Sequence, residues 1–130
     1  MATTSIGSSG VTFPDSTTQS SGKQAAKAWV NFAGSTGTIN GSFNVSSITR
    51  NNTGYYTVNF TTAMPNANYT TNISVSSTGS VTPSCFLYVD AVASNTVLTP
   101  TTSAFSFCSC NYTQNTRYDP TYCMASVFSS

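Results

Sequence analysis

Three side-chain carboxylates, Asp15, Asp90 and Asp119, and no histidine make up the acid–base inventory of this 130-residue chain. A glycosidase needs two carboxylates, placed ~5–10 Å apart across a sugar. Asp90 falls in an apolar, strand-like stretch and Asp119 in a polar loop, so only the fold could bring them together. Nothing around them signals the raised pKa that a general acid needs near neutrality. The serines and cysteines lack a histidine partner, and no Ser-x-x-Lys pattern supplies another base. Gly34-Ser35-Thr36-Gly37-Thr38 lacks the Gly-Lys-Ser/Thr ending of a phosphate loop and reads as a turn. The expectation is a protein that is not an enzyme, with no catalytic residue and no cofactor.

The four cysteines, Cys85, Cys108, Cys110 and Cys123, do not form the C-x₂₋₄-C knuckle of a zinc site. Cys108 and Cys110 would share one face of a strand. Met1-Ala2-Thr3-Thr4-Ser5 lacks the basic start and apolar stretch of a signal peptide, which points to a reducing compartment and buried, reduced thiols. The Asn-x-Ser/Thr triplets at Asn44, Asn59, Asn68, Asn72 and Asn111 then follow from composition rather than glycosylation.

Charged residues make up only 5% of the chain, against roughly 25% in ordinary soluble domains. Lys23, Lys27, Arg50 and Arg117 are scattered, and the net charge is +1. Displacing counterions from nucleic-acid phosphate, or docking on an anionic membrane, needs clustered basic residues, so both partners are excluded. No apolar run approaches the ~20 residues of a spanning helix.

What remains is recognition by hydroxyls, amides and rings. The loop from Asn111 to Tyr122 concentrates Tyr112, Arg117, Tyr118 and Tyr122 among Asn, Gln and Thr. Aromatic rings stack on a ligand, flanking amides hydrogen-bond it, and few rotamers are lost, which suits a host glycan or protein. The alternative is an ordinary long loop with Arg117 paired to Asp119. Trp29 and Tyr55, on the outward faces of their strands, are candidates for contact between subunits. Val11 and Phe13 are apolar residues in a polar leader and suit attachment to a partner's sheet edge.

These residues need a scaffold, and the two-residue hydrophobic period supplies it. Ala28, Val30 and Phe32 share one strand face with Trp29 and Asn31 opposite; Tyr56, Val58 and Phe60 face in, with Tyr55, Thr57 and Asn59 out. Phe43 and Val45 are expected on one side of a strand from Ser42 to Thr49, with a break at Ile48 marking a bulge. Tyr69, Thr71, Ile73 and Val75 alternate with Thr70, Asn72 and Ser74. Cys85 to Val92 is continuously apolar and suits a central strand. A strand is expected near Val97-Leu98, another from Ala104 to Tyr112, and a last one from Tyr122 to Phe128. Strands at roughly 8–12-residue spacing with no long helical pattern predict an all-β fold, an antiparallel β-sandwich of jelly-roll or Ig-like topology. Residues 25–130 form that domain. Residues 1–24, rich in Ser, Thr and Gly, read as an extended N-terminal anchoring arm; some 20 residues of it could reach ~65–70 Å. Near-zero charge favours self-association, so an oligomer is expected.

Val11-Thr12-Phe13-Pro14-Asp15-Ser16-Thr17-Thr18-Gln19 resembles a short segment found repeatedly in bacteriophage tail-fibre and virion-appendage proteins. Lys27-Ala28-Trp29-Val30-Asn31-Phe32 resembles the opening of a small C-terminal fibre domain common in phages of aquatic bacteria. The likeness continues through Ser42 to Thr49, Gly54 to Phe60 and Ala63-Met64-Pro65 to Tyr69, about half of the chain in all. After Ser76 only the strand rhythm matches. Arg50 and Tyr55 stand where such domains usually carry acidic residues. The resemblance implies a phage structural protein at the virion surface, assembled in the bacterial cytoplasm. It implies a homotrimeric tail fibre or fibre tip in host attachment, docked on other virion proteins through its arm. The rival reading is a capsid decoration, cement or head-fibre protein that clamps shell subunits.

Overall fold

The computed structural model describes residues 5–7, 10–12, 18–19, 25–76, 83–86, 98–111 and 116–129. All regular structure among them is β-strand, in antiparallel pairs. Three short strands lead the chain: β1 (Ser5–Gly7), β2 (Gly10–Thr12) and β3 (Thr18–Gln19). They pair in order, Ile6 opposite Val11 and Val11 opposite Gln19. These three pieces of the leader therefore pair with one another, so their backbone groups are satisfied within the segment. Val11 lies in β2, but its side chain and all of Phe13 are outside the described residues.

Among the described residues the sandwich is built from eight further strands. They are β4 (Ala28–Phe32), β5 (Ile39–Phe43), β6 (Val45–Asn52), β7 (Tyr55–Phe60), β8 (Thr70–Val75), β9 (Pro83–Phe86), β10 (Ala104–Asn111) and β11 (Cys123–Phe128). One sheet has the order β5-β4-β11-β8, the other β6-β7-β10-β9. Their inner faces meet in one core. Ala28, Val30 and Phe32 of β4 with Cys123, Ala125 and Val127 of β11 pack against Tyr56, Val58 and Phe60 of β7 and Phe105 and Phe107 of β10. Alternation dictates this, because period-two apolar residues on a strand all point to one side. Rings lock the layers together: Phe32 meets Tyr56 edge-on at a centroid distance of 5.2 Å, and Phe60 meets Tyr69 at 5.7 Å.

Asn44 is the corner between the sheets. It takes a left-handed φ of 54°, a conformation that Asn tolerates better than most residues. Its Nδ2 donates to the carbonyls of Lys27 and Thr62, each at 3.1 Å, and its Oδ1 accepts the N–H of Thr62 at 2.7 Å. The chain leaves one sheet at Phe43 and enters the other at Val45. Phe43 is consequently exposed and Val45 buried, not side by side as the sequence suggested. The irregularity expected at Ile48 lies at Ser46 instead. Val45 opposes Phe60 and Ser47 opposes Asn59, so Ser46 is the extra residue and Ile48 regains the inward face.

β9 closes the end of its sheet rather than its centre. Pro83 opens it, and a residue without an N–H is tolerated there and not mid-sheet. Leu98 to Pro100 carry no strand, contrary to expectation; residues 87–97 are outside the described residues. Among the described residues no helix is long and apolar enough to cross a membrane.

Candidate functional site

The chain returning from the polar loop is pinned to the β6–β7 hairpin by Asp119. Its Oδ1 accepts the Tyr56 hydroxyl at 2.7 Å, the Gly54 N–H at 2.9 Å and Arg50 Nε at 3.2 Å; its Oδ2 accepts Arg50 Nη2 at 2.6 Å. Burial alone would push this carboxyl up. The donors from Arg50, Gly54 and Tyr56 outweigh burial and hold it below the usual carboxylate range. Burial first, and then the bond to Asp119, drive the Tyr56 phenol well above its ordinary value. Both carboxylate oxygens of Asp119 accept bonds from within the chain, three on Oδ1 and one on Oδ2, which suits a structural clamp. The ion pair between Arg117 and Asp119 that the alternative reading of the loop supposed is not formed. Asp119 goes to Arg50, which the hairpin carries to the loop from far along the sequence.

Gly54 makes the close approach possible. It has a φ of 62°, and a Cβ there would lie 2.5 Å from the Ser109 carbonyl oxygen and 2.7 Å from that of Tyr118. Arg117 bridges to Cys110 across the loop's base and holds its guanidinium 5.7 Å from the Tyr55 ring centroid. Tyr55 is half-buried in consequence, so one proposed contact residue is engaged within the chain. Tyr118 is half-buried beside the hairpin. Tyr112 lies outside the described residues, as do Asp15, Asp90 and the side chain of Cys85. Cys108, Cys110 and Cys123 are buried, and burial raises the Cys110 thiol against the opposing pull of Arg117. Among the described residues no three His, Cys, Asp or Glu side chains gather into a metal-holding group.

Tyr122 belongs elsewhere. It accepts the Ser76 N–H at 2.9 Å through its carbonyl and continues the outward row of β11. The loop's candidates therefore split: Arg117 and Tyr118 pack on the hairpin, while Tyr122 joins the outer face of the β5-β4-β11-β8 sheet.

That face is unusual. The large exposed hydrophobic side chains among the described residues are Trp29 at 44%, Phe43 at 54%, Tyr122 at 52% and Met124 at 40% exposure. All four stand on it. The register sets Trp29 opposite Phe43 on one side and Ser126 on the other, with Ser126 opposite Asn72. The next row runs Gly41, Asn31, Met124 and Ser74. The indole of Trp29 lies over Gly41, where a Cβ would meet its Cζ3 at 3.5 Å and Cη2 at 3.6 Å. Between the indole and β8 runs an open groove of ≈ 370 Å³ lined by Trp29, Asn31, Met124, Ser126, Asn72 and Ser74.

The outer face of the other sheet is occupied with itself. Asn59 Nδ2 donates to Ser47 Oγ and Thr49 Oγ1, each at 3.1 Å; Asn51 Nδ2 donates to Thr57 Oγ1 at 2.8 Å; and the Thr57 and Ser106 hydroxyls bond at 2.7 Å. The two faces differ both in composition and in what their polar groups have left to give. Comparison with models of known protein families, with curated proteins and with solved structures gives no significant match.

Trp29 is the one groove residue that the sequence marked, as an outward ring. Asn72, Ser74, Met124 and Ser126 carried no signal of their own. They belong to β8 and β11, and only the pairing of β4 with β11 brings them beside Trp29.

Proposed function

We propose that this chain is a structural protein of a bacteriophage particle, a tail-fibre or fibre-tip protein that takes part in host attachment. The reading rests on one observation above the others: among the described residues, the large exposed apolar side chains collect on a single sheet face of an otherwise polar, nearly uncharged sandwich. A contiguous patch of that kind marks a contact surface rather than scatter. The resemblance of Val11–Gln19, Lys27–Phe32 and Gly54–Phe60 to virion-appendage segments supplies the class of particle. The Asp119 carboxylate, bonded to Arg50, Gly54 and Tyr56 of the chain's own hairpin, favours adhesion over hydrolysis. Contacts made by hydroxyls, amides and apolar groups are little screened by salt, which suits a particle outside a cell. On this reading the mature form is a homotrimer whose N-terminal segment docks on other virion proteins.

Location on the particle tests it. Gold-labelled antibody against the chain should mark the tail or fibre tip at low copy number. Label spread evenly over the head would overturn attachment in favour of a decoration or cement protein.

A further inference from the structure

We infer that the groove beside Trp29 is a binding site for a neutral saccharide, with Trp29 as its stacking platform and Asn72, Ser74 and Ser126 as its hydrogen-bonding wall. The inference rests on the attachment reading and names the chemistry the attached surface would offer.

The groove is two-sided. One flank is apolar, with the indole of Trp29 lying over Gly41 and Phe43 opposite Trp29 on β5. On the other flank β8 and β11 contribute the amide of Asn72 and the hydroxyls of Ser74 and Ser126, set around the Met124 side chain. Among the described residues no hydrogen bond engages the side chains of Asn72, Ser74 or Ser126, whereas the matching groups on the opposite sheet are paired with each other. Asn31 has one amide atom in use, its Oδ1 accepting from Asn40 Nδ2 at 3.2 Å, which orients its own NH₂ away from that bond.

A pyranose ring matches this division, because it carries a face of C–H groups and an edge of hydroxyls. The C–H face rests on the ring system and the edge exchanges bonds with the amides. No side chain lining the groove is ionisable, so an anionic or cationic ligand would be desolvated without compensation. The volume of ≈ 370 Å³ stands at the small end of ligand sites, the scale of one or two sugar rings. A second copy of this chain fits less well. Pressing the face against an apolar patch would bury the unengaged amide and hydroxyls unpaired, at about 1–3 kcal/mol each.

The chain has a single tryptophan, so its emission reports this groove alone. The full chain is titrated with neutral di- to tetrasaccharides of hexose and N-acetylhexosamine, with a uronic-acid oligomer as the charged counterpart. The expected result is a saturable emission change and reduced acrylamide quenching with at least one neutral member and none with the uronate. Calorimetry on Trp29→Ala and Asn72→Ala, both surface changes, should show affinity down at least about tenfold for the ring and several-fold for the amide. Saturation by no neutral sugar, or affinity unchanged in Trp29→Ala, overturns the site. So does emission that shifts with protein concentration alone, which would place a second copy on the face. The titration needs no particle, and the particle labelling needs no sugar, so either reading can fail while the other stands.

Discussion

Tyr56 joins the core to the loop: its ring lies 5.2 Å from that of Phe32, and its hydroxyl donates to Asp119 at 2.7 Å. Removing the carboxylate in Asp119→Ala leaves the Tyr56 hydroxyl and the Gly54 N–H without their acceptor. The expected loss is about 3 kcal/mol by urea unfolding. Tyr56→Phe, which removes one donor and leaves the rest of the cluster, should lose about 1 kcal/mol. Arg50→Ala should be milder than Asp119→Ala, because the Gly54 and Tyr56 bonds persist and the ion pair faces solvent. Equal losses in Asp119→Ala and Arg50→Ala would show that the ion pair alone carries the clamp.

The same cluster sets the acid limit. Asp119 is held below its ordinary value of 3.8 in the fold, so its contribution is complete above that value and disappears as pH falls through the lower, folded one. The melting temperature should therefore drop on acidification below about pH 4, and Asp119→Asn should flatten that limb. At the alkaline end the sign reverses. Tyr56 is raised, and Tyr69 is pushed by burial to about 12 from 10.0. The unfolded chain ionises first, so stability falls once pH passes 10.0. Tyr69→Phe should reduce this alkaline loss in a thermal melt series.

The legible part of the fold was whatever one strand states by itself. Tyr56, Val58 and Phe60 announce a half-buried strand because their alternation is local, and the same holds for Ala28, Val30 and Phe32. Partner choice is not local. That β4 lies against β11, and β7 against β10, is decided by how two complete faces fit. The groove is legible only after that choice, which is why Trp29 was visible and Asn72 was not. The clamp was missed for a related reason. Arg117 is two residues from Asp119, but the loop turns it onto Tyr55 while the hairpin delivers Arg50.

Asn44 should be a sensitive half-buried corner position of the sandwich. Asn44→Ala loses three hydrogen bonds and places a Cβ residue at a φ of 54°, for an expected cost of about 2–3 kcal/mol. Asn44→Gly accepts the conformation and should recover about 1 kcal/mol of that loss. Asn44→Asp keeps the acceptor for Thr62 but turns an oxygen toward the carbonyls of Lys27 and Thr62. It should be no better than Ala. Denaturant midpoints for the three variants check the order, and an Asp variant at wild-type stability would remove the donor bonds from the account.

Phe43 and Val45 flank that corner and should answer oppositely to the same change. Phe43 is 54% exposed on the outer face of one sheet, whereas Val45 is 8% exposed in the core of the other. Phe43→Ser removes apolar surface that water already reaches, so unfolding free energy should stay within about 0.5 kcal/mol. Val45→Ser takes apolar contacts out of the core and leaves a hydroxyl among Phe60 and its neighbours, at about 2–3 kcal/mol. A face kept for contact should also show the mirror result in binding: Phe43→Ser weakens adhesion of the folded protein and leaves its melting curve in place. Paired denaturation and surface-adhesion measurements decide this. A large stability loss in Phe43→Ser would mean that the two residues share one core after all, and that the chain does not change sheets at Asn44.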